Sequence, residues 1–240
     1  MKSIIGRLCT NTTDPSLESY TQIQLECIDQ TGSNYNVIQA AHIGRAGSQL
    51  ADSLGINSTD DIMYAVFTKE NSSPVQTALC LYKMSDIQQR FTQAVVDCIT
   101  CSGTNDCKRR SIDYLMDSSC SGLAVSMLPS LGHFECMAHQ DGGTAYRYAR
   151  GLDALGSVPV LVWTSSIPTS IAVTYEREAT VVITGTSASD LLKINVLNGS
   201  AAYMYEEISL ESGPVLHDMF YDSDKEELTL GTTSRVSGTI

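Results

Sequence analysis

The chain has 240 residues, of which 42% are hydrophobic and 18% are charged, and its formal net charge at pH 7 is -12. This composition is typical of a globular protein with enough apolar residues for a buried core. The acidic balance argues against nucleic acid as a partner, because phosphate binding needs clustered Lys and Arg, and only 15 such residues are spread along the chain. No apolar run approaches the roughly 18 residues of a membrane-spanning helix, so we expect no membrane contact by this segment.

Strand patterns dominate the chain from its start to its end. Short runs rich in Val, Ile, Thr and Tyr alternate with turn residues, and this pattern predicts antiparallel strands. The predicted strands cover residues 20–25, 35–43, 62–68, 76–82, 158–163, 170–175, 180–184, 191–196, 201–208, 215–221 and 227–230. After residue 158 they follow one another at intervals of about ten residues, which is typical of sandwiches, barrels and propellers. The predicted fold class is therefore all-β.

Helix is predicted at two places only. Ser85 can cap a helix over residues 85–96, in which apolar residues recur at every fourth position and form one stripe. The stripe consists of Ile87, Phe91 and Val95. A shorter helical turn is predicted over residues 48–54.

Two features indicate an extracellular location. The chain contains eight cysteines, and it contains four Asn-x-Ser/Thr acceptor sites, at Asn11, Asn57, Asn71 and Asn198. Disulfides persist and N-glycans are added along the secretory route. We therefore expect an extracellular, disulfide-bonded glycoprotein. Because its first residues lack the pattern of a signal peptide, we expect the chain to be a fragment of a longer secreted or cell-surface protein.

Residues 98–150 interrupt the strand pattern and carry five of the eight cysteines. A long irregular segment within a domain needs cross-links, so this stretch is predicted to be a disulfide-rich insertion. Its Lys108-Arg109-Arg110 run is interpreted as a solvated turn, with a proteolytic processing site as the alternative.

Spacing alone also permits a zinc site. Cys98-x-x-Cys101 and His133-x-x-Cys136-x-x-His139 both have ligand-like intervals. Zinc needs thiolates, whereas an oxidising compartment favours disulfides, so we expect no metal and no cofactor.

Catalytic signatures are absent from the sequence. It contains no Gly-x-Ser-x-Gly elbow, no Gly-x-Gly-x-x-Gly loop and no phosphate-binding Gly-Lys-Ser/Thr motif. His42 and His217 lie within predicted strands and are interpreted as structural. Residues 222–226 resemble the start of a calcium loop, but Glu227 stands where that loop needs glycine, so a polar hairpin turn is predicted. We expect a protein that is not an enzyme, with a secreted propeller hydrolase as the alternative from another class.

Several strings of the sequence resemble the sema domain of plexins. They are Ile5–Cys9, Tyr20–Cys27, Tyr35–Gly44, Leu54–Ile56, Asp60–Lys69, Ala78–Tyr82, Cys120–Leu123, Gly185-Thr186 with Leu191–Val196, and Gly213–Met219. Apart from Cys120–Leu123, residues 101–148 lie outside the resemblance, and so do the final ten residues. It implies that residues 1–240 are the C-terminal half of a seven-bladed β-propeller, with about three to four blades and with residues 98–150 inserted.

The resemblance also implies a function. The chain would be a ligand-binding ectodomain fragment of a single-pass, plexin-like receptor on the extracellular side of the plasma membrane. Its protein ligand would be a semaphorin, and its signals would direct axon guidance or cell migration. A receptor homo-oligomer or a co-receptor is a further expected partner. A semaphorin-like or growth-factor-receptor-like sema domain is the alternative, and no motif assigns the ligand contacts.

The resemblance finally implies a set of disulfides, which spacing alone does not determine because eight cysteines allow 105 full pairings. The family pattern pairs Cys9 with Cys120, Cys27 with Cys80, and Cys98 with Cys107. Cys101 and Cys136 have no family counterparts and are a candidate fourth pair.

Overall fold

The computed structural model describes residues 2–8, 20–110, 112, 120, 149–164, 166–176, 178–211, 213–222, 224–233 and 236–239. The chain divides into two compact units. Unit 1 consists of Met1, Glu26–Met84 and Gly156–Ile240, and unit 2 consists of Lys2–Leu25 and Ser85–Leu155. Among the described helices, none is both long enough and apolar enough to cross a bilayer.

Strands make up most of the described structure. They are β1 (Ser3–Arg7), β2 (Thr21–Ile28), β3 (Asn34–Tyr35), β4 (Val37–Arg45), β5 (Asp61–Thr68), β6 (Gln76–Lys83), β7 (Ala149–Arg150), β8 (Leu155–Ser157), β9 (Leu161–Thr164), β10 (Pro168–Glu176), β11 (Ala179–Thr186), β12 (Asp190–Asn198), β13 (Ala201–Ser209), β14 (Val215–Asp222), β15 (Glu227–Thr232) and β16 (Val236–Thr239). The helices are α1 (Ser48–Leu54), α2 (Met84–Thr100) and α3 (Gly103–Arg110).

Unit 1 contains two four-stranded antiparallel meanders. Their strand orders are β4-β5-β6-β9 and β10-β11-β12-β13. Every residue from Ile62 to Thr68 of β5 is buried, because both faces of this central strand are covered. One core cluster joins the two meanders and α1, and it includes Leu50, Tyr64, Leu79 and Ile194, each with no measurable exposure. Burial of such side chains stabilises by roughly 1.5–3 kcal/mol each.

A third sheet of unit 1 has the order β14-β15-β16. A second core cluster contains Val215, Leu228 and Leu230 from this sheet and Ile183 and Leu191 from β11 and β12. The third sheet therefore packs against one face of the β10–β13 meander.

Unit 2 combines a small sheet with two helices. β1 runs antiparallel to the first residues of β2, from Ser3 opposite Leu25 to Arg7 opposite Thr21, and β7 pairs with β2 in parallel. The apolar stripe of α2 is buried, and its Val95, Cys98 and Ile99 cluster with Ala149 of β7.

The all-β class predicted from the sequence is confirmed, and the helix over residues 48–54 is found where it was expected. Three details differ from the predictions. α2 continues to Thr100, because Cys98 and Ile99 extend its buried face. The predicted strand over residues 158–163 begins only at Leu161. β1, β7, β8 and β16 were not predicted.

The segment 98–150 is partly regular. It includes the end of α2, the whole of α3 and β7. Lys108-Arg109-Arg110 forms the last turn of α3, so its interpretation as a turn was wrong. Cations there face the negative end of the helix dipole, which favours this arrangement.

Candidate binding surface

The disulfides of the described residues differ in part from the expected pattern. In unit 1, Cys27 of β2 is bonded to Cys80 of β6, the pairing that the resemblance implies, with a Cα–Cα distance of 6.1 Å. In unit 2, Cys98 is bonded to Cys120 and Cys101 to Cys107.

These bonds correct three expected pairings. Cys120 and Cys107 are taken by Cys98 and Cys101, so neither Cys9–Cys120 nor Cys98–Cys107 forms, and Cys101–Cys136 is also ruled out. The physical reason lies in the helices. α2 carries Cys98 into an apolar cluster that Cys120 contacts, whereas Cys101 and Cys107 bracket the start of α3. Cys9 and Cys136 lie outside the described residues.

The same bonds bear on the zinc alternative. Cys98 and Cys101 are both oxidised, and disulfide sulfurs do not supply the thiolates that zinc requires. Across the described ranges, no group of three His, Cys, Asp or Glu residues is placed to hold a metal. His133, Cys136 and His139 lie outside those ranges.

Three of the four glycan acceptor sites lie at turns. Asn57 is exposed, and its backbone N–H donates to Oδ2 of Asp60 at 2.9 Å. Asn71 is exposed in the β5–β6 hairpin with a φ of 58°. Asn198 is the last residue of β12. Its Oδ1 accepts hydrogen bonds from the backbone N–H of Ser200 at 2.9 Å and from the Ser200 hydroxyl at 2.8 Å. Asn11 lies outside the described residues.

The histidines and buried tyrosines have structural surroundings. His42 of β4 is half-buried, and desolvation lowers its pKa, while Nδ1 of the exposed His217 lies 2.9 Å from the carbonyl oxygen of Thr169. Tyr64 donates its hydroxyl to the carbonyl of Arg45 at 3.1 Å, and Tyr82 donates to that of Glu26 at 2.9 Å. Burial raises the pKa of both phenols. Neither pair resembles a nucleophile with its base.

The turn between β14 and β15 is a polar hairpin. The Oδ1 atom of Asp222 accepts from the backbone N–H groups of Asp224 and Lys225 at 3.1 and 3.3 Å. The carboxylate is therefore occupied in closing the turn, as in other Asx turns.

A cavity of about 270 Å³ lies in unit 1 and has two tyrosines in its wall. We call it the tyrosine pocket. Its lining comprises Thr174, Val181, Ile183, Leu191, Lys193, Tyr205, Ile208, Tyr221, Glu226 and Leu228. Alternation along β11 and β12 places Val181, Ile183, Leu191 and Lys193 on one face of the sheet. Val181, Ile183 and Leu191 give this face an apolar floor; Ile183 and Leu191 belong to the second core cluster, and Val181 packs against it.

A β-bulge shapes the tyrosine wall of this pocket. Ile194 pairs with Met204 and Lys193 with Glu206, so Tyr205 is the extra residue on β13. Bulges redirect side chains, and this one leaves Tyr205 and Tyr203 with ring centroids 6.4 Å apart in an edge-to-face arrangement. The side chains of Tyr203 and Tyr205 are 46% and 48% exposed.

Two polar contacts hold this surface in place. Nδ2 of Asn195 donates to the Tyr203 hydroxyl at 3.1 Å, and Nζ of Lys193 donates to Glu206 at 2.8 Å. The bond to Glu206 raises the pKa of Lys193. An apolar floor, fixed aromatic rings and a charged rim suit recognition of a protein side chain, since aromatic residues are enriched in interface centres. This surface contains no arrangement of an acid, a base and a nucleophile.

No sequence motif predicted the tyrosine pocket. The i, i+2 spacing of Tyr203 and Tyr205 in a strand is the one signal that places them near each other. Trp163, by contrast, is partly buried against the first core cluster.

Comparisons with known proteins agree with one another. The Sema domain family model matches residues 38–222. Plexin-A4 of Danio rerio is 28% identical and Plexin-A3 of Homo sapiens is 25% identical, each over 98% of this chain. The chain spans only 12% of the length of each of these relatives.

Solved structures show the same fold. The full extracellular region of plexin A4 matches all of this chain and 23% of its own length, with a TM-score of 0.77 at 23% identity. Drosophila Plexin A in complex with Semaphorin 1b matches 98% of this chain and 47% of its own length, with a TM-score of 0.55 at 15% identity. The resemblance to plexins noted in the sequence is confirmed.

Proposed function

Because the chain belongs to the Sema domain family, whose fold is a β-propeller, we propose that it is part of the ligand-binding ectodomain of a plexin-like receptor and that its ligand is a semaphorin. The observation that carries the proposal is the match of plexins over 98% of this chain. The solved complex of Drosophila Plexin A with Semaphorin 1b supports the choice of ligand.

The proposed activity is protein recognition and not catalysis. Antiparallel meanders and disulfides give a rigid scaffold, and a rigid surface loses little conformational entropy on binding. The tyrosine pocket is the proposed contact. Its anchors are Tyr205, which lies in the pocket wall, and Tyr203, whose ring packs against that of Tyr205 beside the pocket. Ligand engagement would change how receptor copies or a co-receptor are arranged, and that change would be transmitted as a guidance or migration signal.

The proposed location is the extracellular side of the plasma membrane. The three disulfides of the described residues support an oxidising compartment. Asn57 and Asn71 are exposed and therefore accessible for N-glycans. We propose glycans at these two sites and also at Asn11 and Asn198. We also propose that residues 1–240 form the C-terminal half of one sema domain, with residues 98–150 as an insertion.

The experiment is a binding measurement on the secreted 240-residue chain. A panel of semaphorin ectodomains is passed over the immobilised chain by surface plasmon resonance, with hepatocyte growth factor as the control ligand. We expect saturable binding to at least one semaphorin and none to the growth factor. Folded chain that binds no semaphorin would contradict the proposal, and binding of the growth factor alone would favour a growth-factor-receptor-like sema domain.

A further inference from the structure

Unit 2 contains a cavity of about 360 Å³ whose charged wall residues are all cations. We call it the basic pocket. Its described lining comprises Lys2, Ile4, Gln22, Ile23, Gln24, Arg109, Arg150, Gly151 and Leu152. Three of these side chains are positive, and no Asp or Glu is among them. In a chain with a net charge of -12, this is a local reversal of sign.

The strand register of unit 2 brings the pocket residues together. Ile4 of β1 lies opposite Gln24 of β2, and Arg150 of β7 lies beside Gln22 of β2. Because residues two apart in a strand share a face, Gln22 and Gln24 point to the same side. α3 supplies Arg109, which is 41 residues away from Arg150 in the chain.

One donor in the wall has no partner. Nε of Arg150 is buried and has no hydrogen-bond partner within the described part of the chain. A buried donor without an acceptor costs about 1–3 kcal/mol, and more when the group is charged. Gln24 is an acceptor for Lys2, whose Nζ donates to Oε1 at 2.9 Å, and an ammonium has two further donors. The wall therefore has unused hydrogen-bond donors.

Two carboxylates of the neighbouring helices form ion pairs with an arginine outside the pocket. Asp97 and Asp106 bind Arg110, at 2.9 and 3.2 Å, on α2 and α3. Arg110 and both carboxylates lie outside the lining of the basic pocket. Both carboxylates thus form their ion pairs with Arg110, and Asp106 also interacts electrostatically with Arg109, so the positive charge of the pocket is offset in part at Arg109 only.

Like charges around one cavity repel each other, and the repulsion is stronger where solvent is partly excluded. An anionic group would remove the repulsion and would also supply an acceptor for the Arg150 donor. Guanidinium groups bind oxyanions through paired hydrogen bonds. The cavity is of the size of small-ligand pockets, which start at about 300 Å³, so it has room for more than a single ion.

We propose that the basic pocket, formed by Lys2, Arg109 and Arg150, binds a small ligand that carries a sulfate or phosphate ester. This inference does not depend on semaphorin recognition, because it concerns unit 2 alone. A sulfated sugar and a sugar phosphate both carry such an ester, and they share the tetrahedral oxyanion.

The test is calorimetric titration of the 240-residue chain with four probes. They are inorganic sulfate, a sulfated disaccharide, the same disaccharide without sulfate, and a sugar phosphate. We expect saturable binding of a sulfated or phosphorylated probe and no binding of the unmodified disaccharide. The tighter of the two esters identifies the source, and failure of all charged probes to bind would overturn the proposal.

Substitutions locate the site. Arg150→Gln and Arg109→Gln should each weaken ester binding at least about tenfold, the loss of one charge-assisted pair. Lys108→Gln is the matched control, since Lys108 precedes Arg109 on α3, is exposed and does not line the pocket. If Arg150→Gln fails to fold, the exposed Arg109 still provides the test. Equal losses for Lys108→Gln and Arg109→Gln would show diffuse attraction and would overturn the site.

Discussion

The backbone N–H of Gly47 donates to Oγ1 of Thr180 at 2.8 Å, so a loop before α1 is tied to a strand 133 positions later. Thr180 is fully buried. The contact links the first meander of unit 1 to the second through a donor that has no access to water.

Replacing Thr180 with Val should show how much this hydrogen bond contributes to the free energy of unfolding. Val keeps the shape but removes the acceptor, which leaves the Gly47 N–H unsatisfied at a cost of about 1–3 kcal/mol. We expect a loss of that size in the free energy of unfolding, measured by urea denaturation. Thr180→Ser keeps the hydroxyl and should lose less; equal losses in the two variants would assign the effect to packing.

Gly47 itself should not tolerate a side chain. A Cβ there would overlap the carbonyl group of Glu178, so the backbone of the second meander would have to move. We expect Gly47→Ala to lower the thermal midpoint by several degrees, as overpacking by about 1–3 kcal/mol does. Gly156→Ala is the control, because a Cβ at residue 156 meets nothing within 4 Å.

The disulfides should differ in their contributions to stability. Cys27 and Cys80 are separated by 53 positions and Cys101 and Cys107 by 6. In the chain-entropy model these loops correspond to about 4 and about 2 kcal/mol. We expect the double Ala variant at Cys27 and Cys80 to lose more unfolding free energy than the double Ala variant at Cys101 and Cys107. A larger loss for the second variant would contradict the loop-length argument.

Stability should fall at alkaline pH. Burial raises the pKa of Tyr64 and Tyr82 in the folded state, whereas an unfolded tyrosine titrates near pH 10. Above about pH 10 the unfolded chain therefore binds fewer protons than the folded chain, and stability decreases as pH rises. Tyr82→Phe should flatten this decrease between about pH 10 and 12, as measured by urea denaturation at each pH. An unchanged slope would mean that Tyr82 titrates normally.

The tyrosine pocket should contribute to semaphorin binding. Tyr203→Ser with Tyr205→Ser removes both anchors, and we expect a loss of affinity of about 2 kcal/mol, as for interface hot spots. Tyr175→Ser is the matched control, because Tyr175 is 52% exposed and lies on β10 next to Thr174, on the opposite face of the same sheet. Surface plasmon resonance with the semaphorin that binds the unmodified chain measures the affinity of the double variant and of the control. Loss of binding in the control alone would place the contact on the other face.

The sequence predicted the strands well because unit 1 is built from alternating or continuous apolar runs. The core strands β5 and β6 were found within one residue of their ends. β1 was missed because Ser3–Arg7 is short and includes Gly6, and glycine weakens a strand pattern.

Other features depend on contacts that no local pattern contains. The bulge at Tyr205 changes which face a side chain occupies, and alternation cannot predict it. The disulfide partners of Cys98 and Cys101 are set by where α2 ends and α3 begins. The basic pocket combines residues near positions 2, 109 and 150, which only the fold brings together.

The complete burial of β5 limits how this scaffold can vary. Seven successive side chains, from Ile62 to Thr68, have protein on every side, so a new charge at any of them would need a partner inside the core. Divergence in unit 1 must therefore accumulate at hairpin ends and outer strands such as β13, the positions where a recognition surface can acquire a new specificity without loss of the framework.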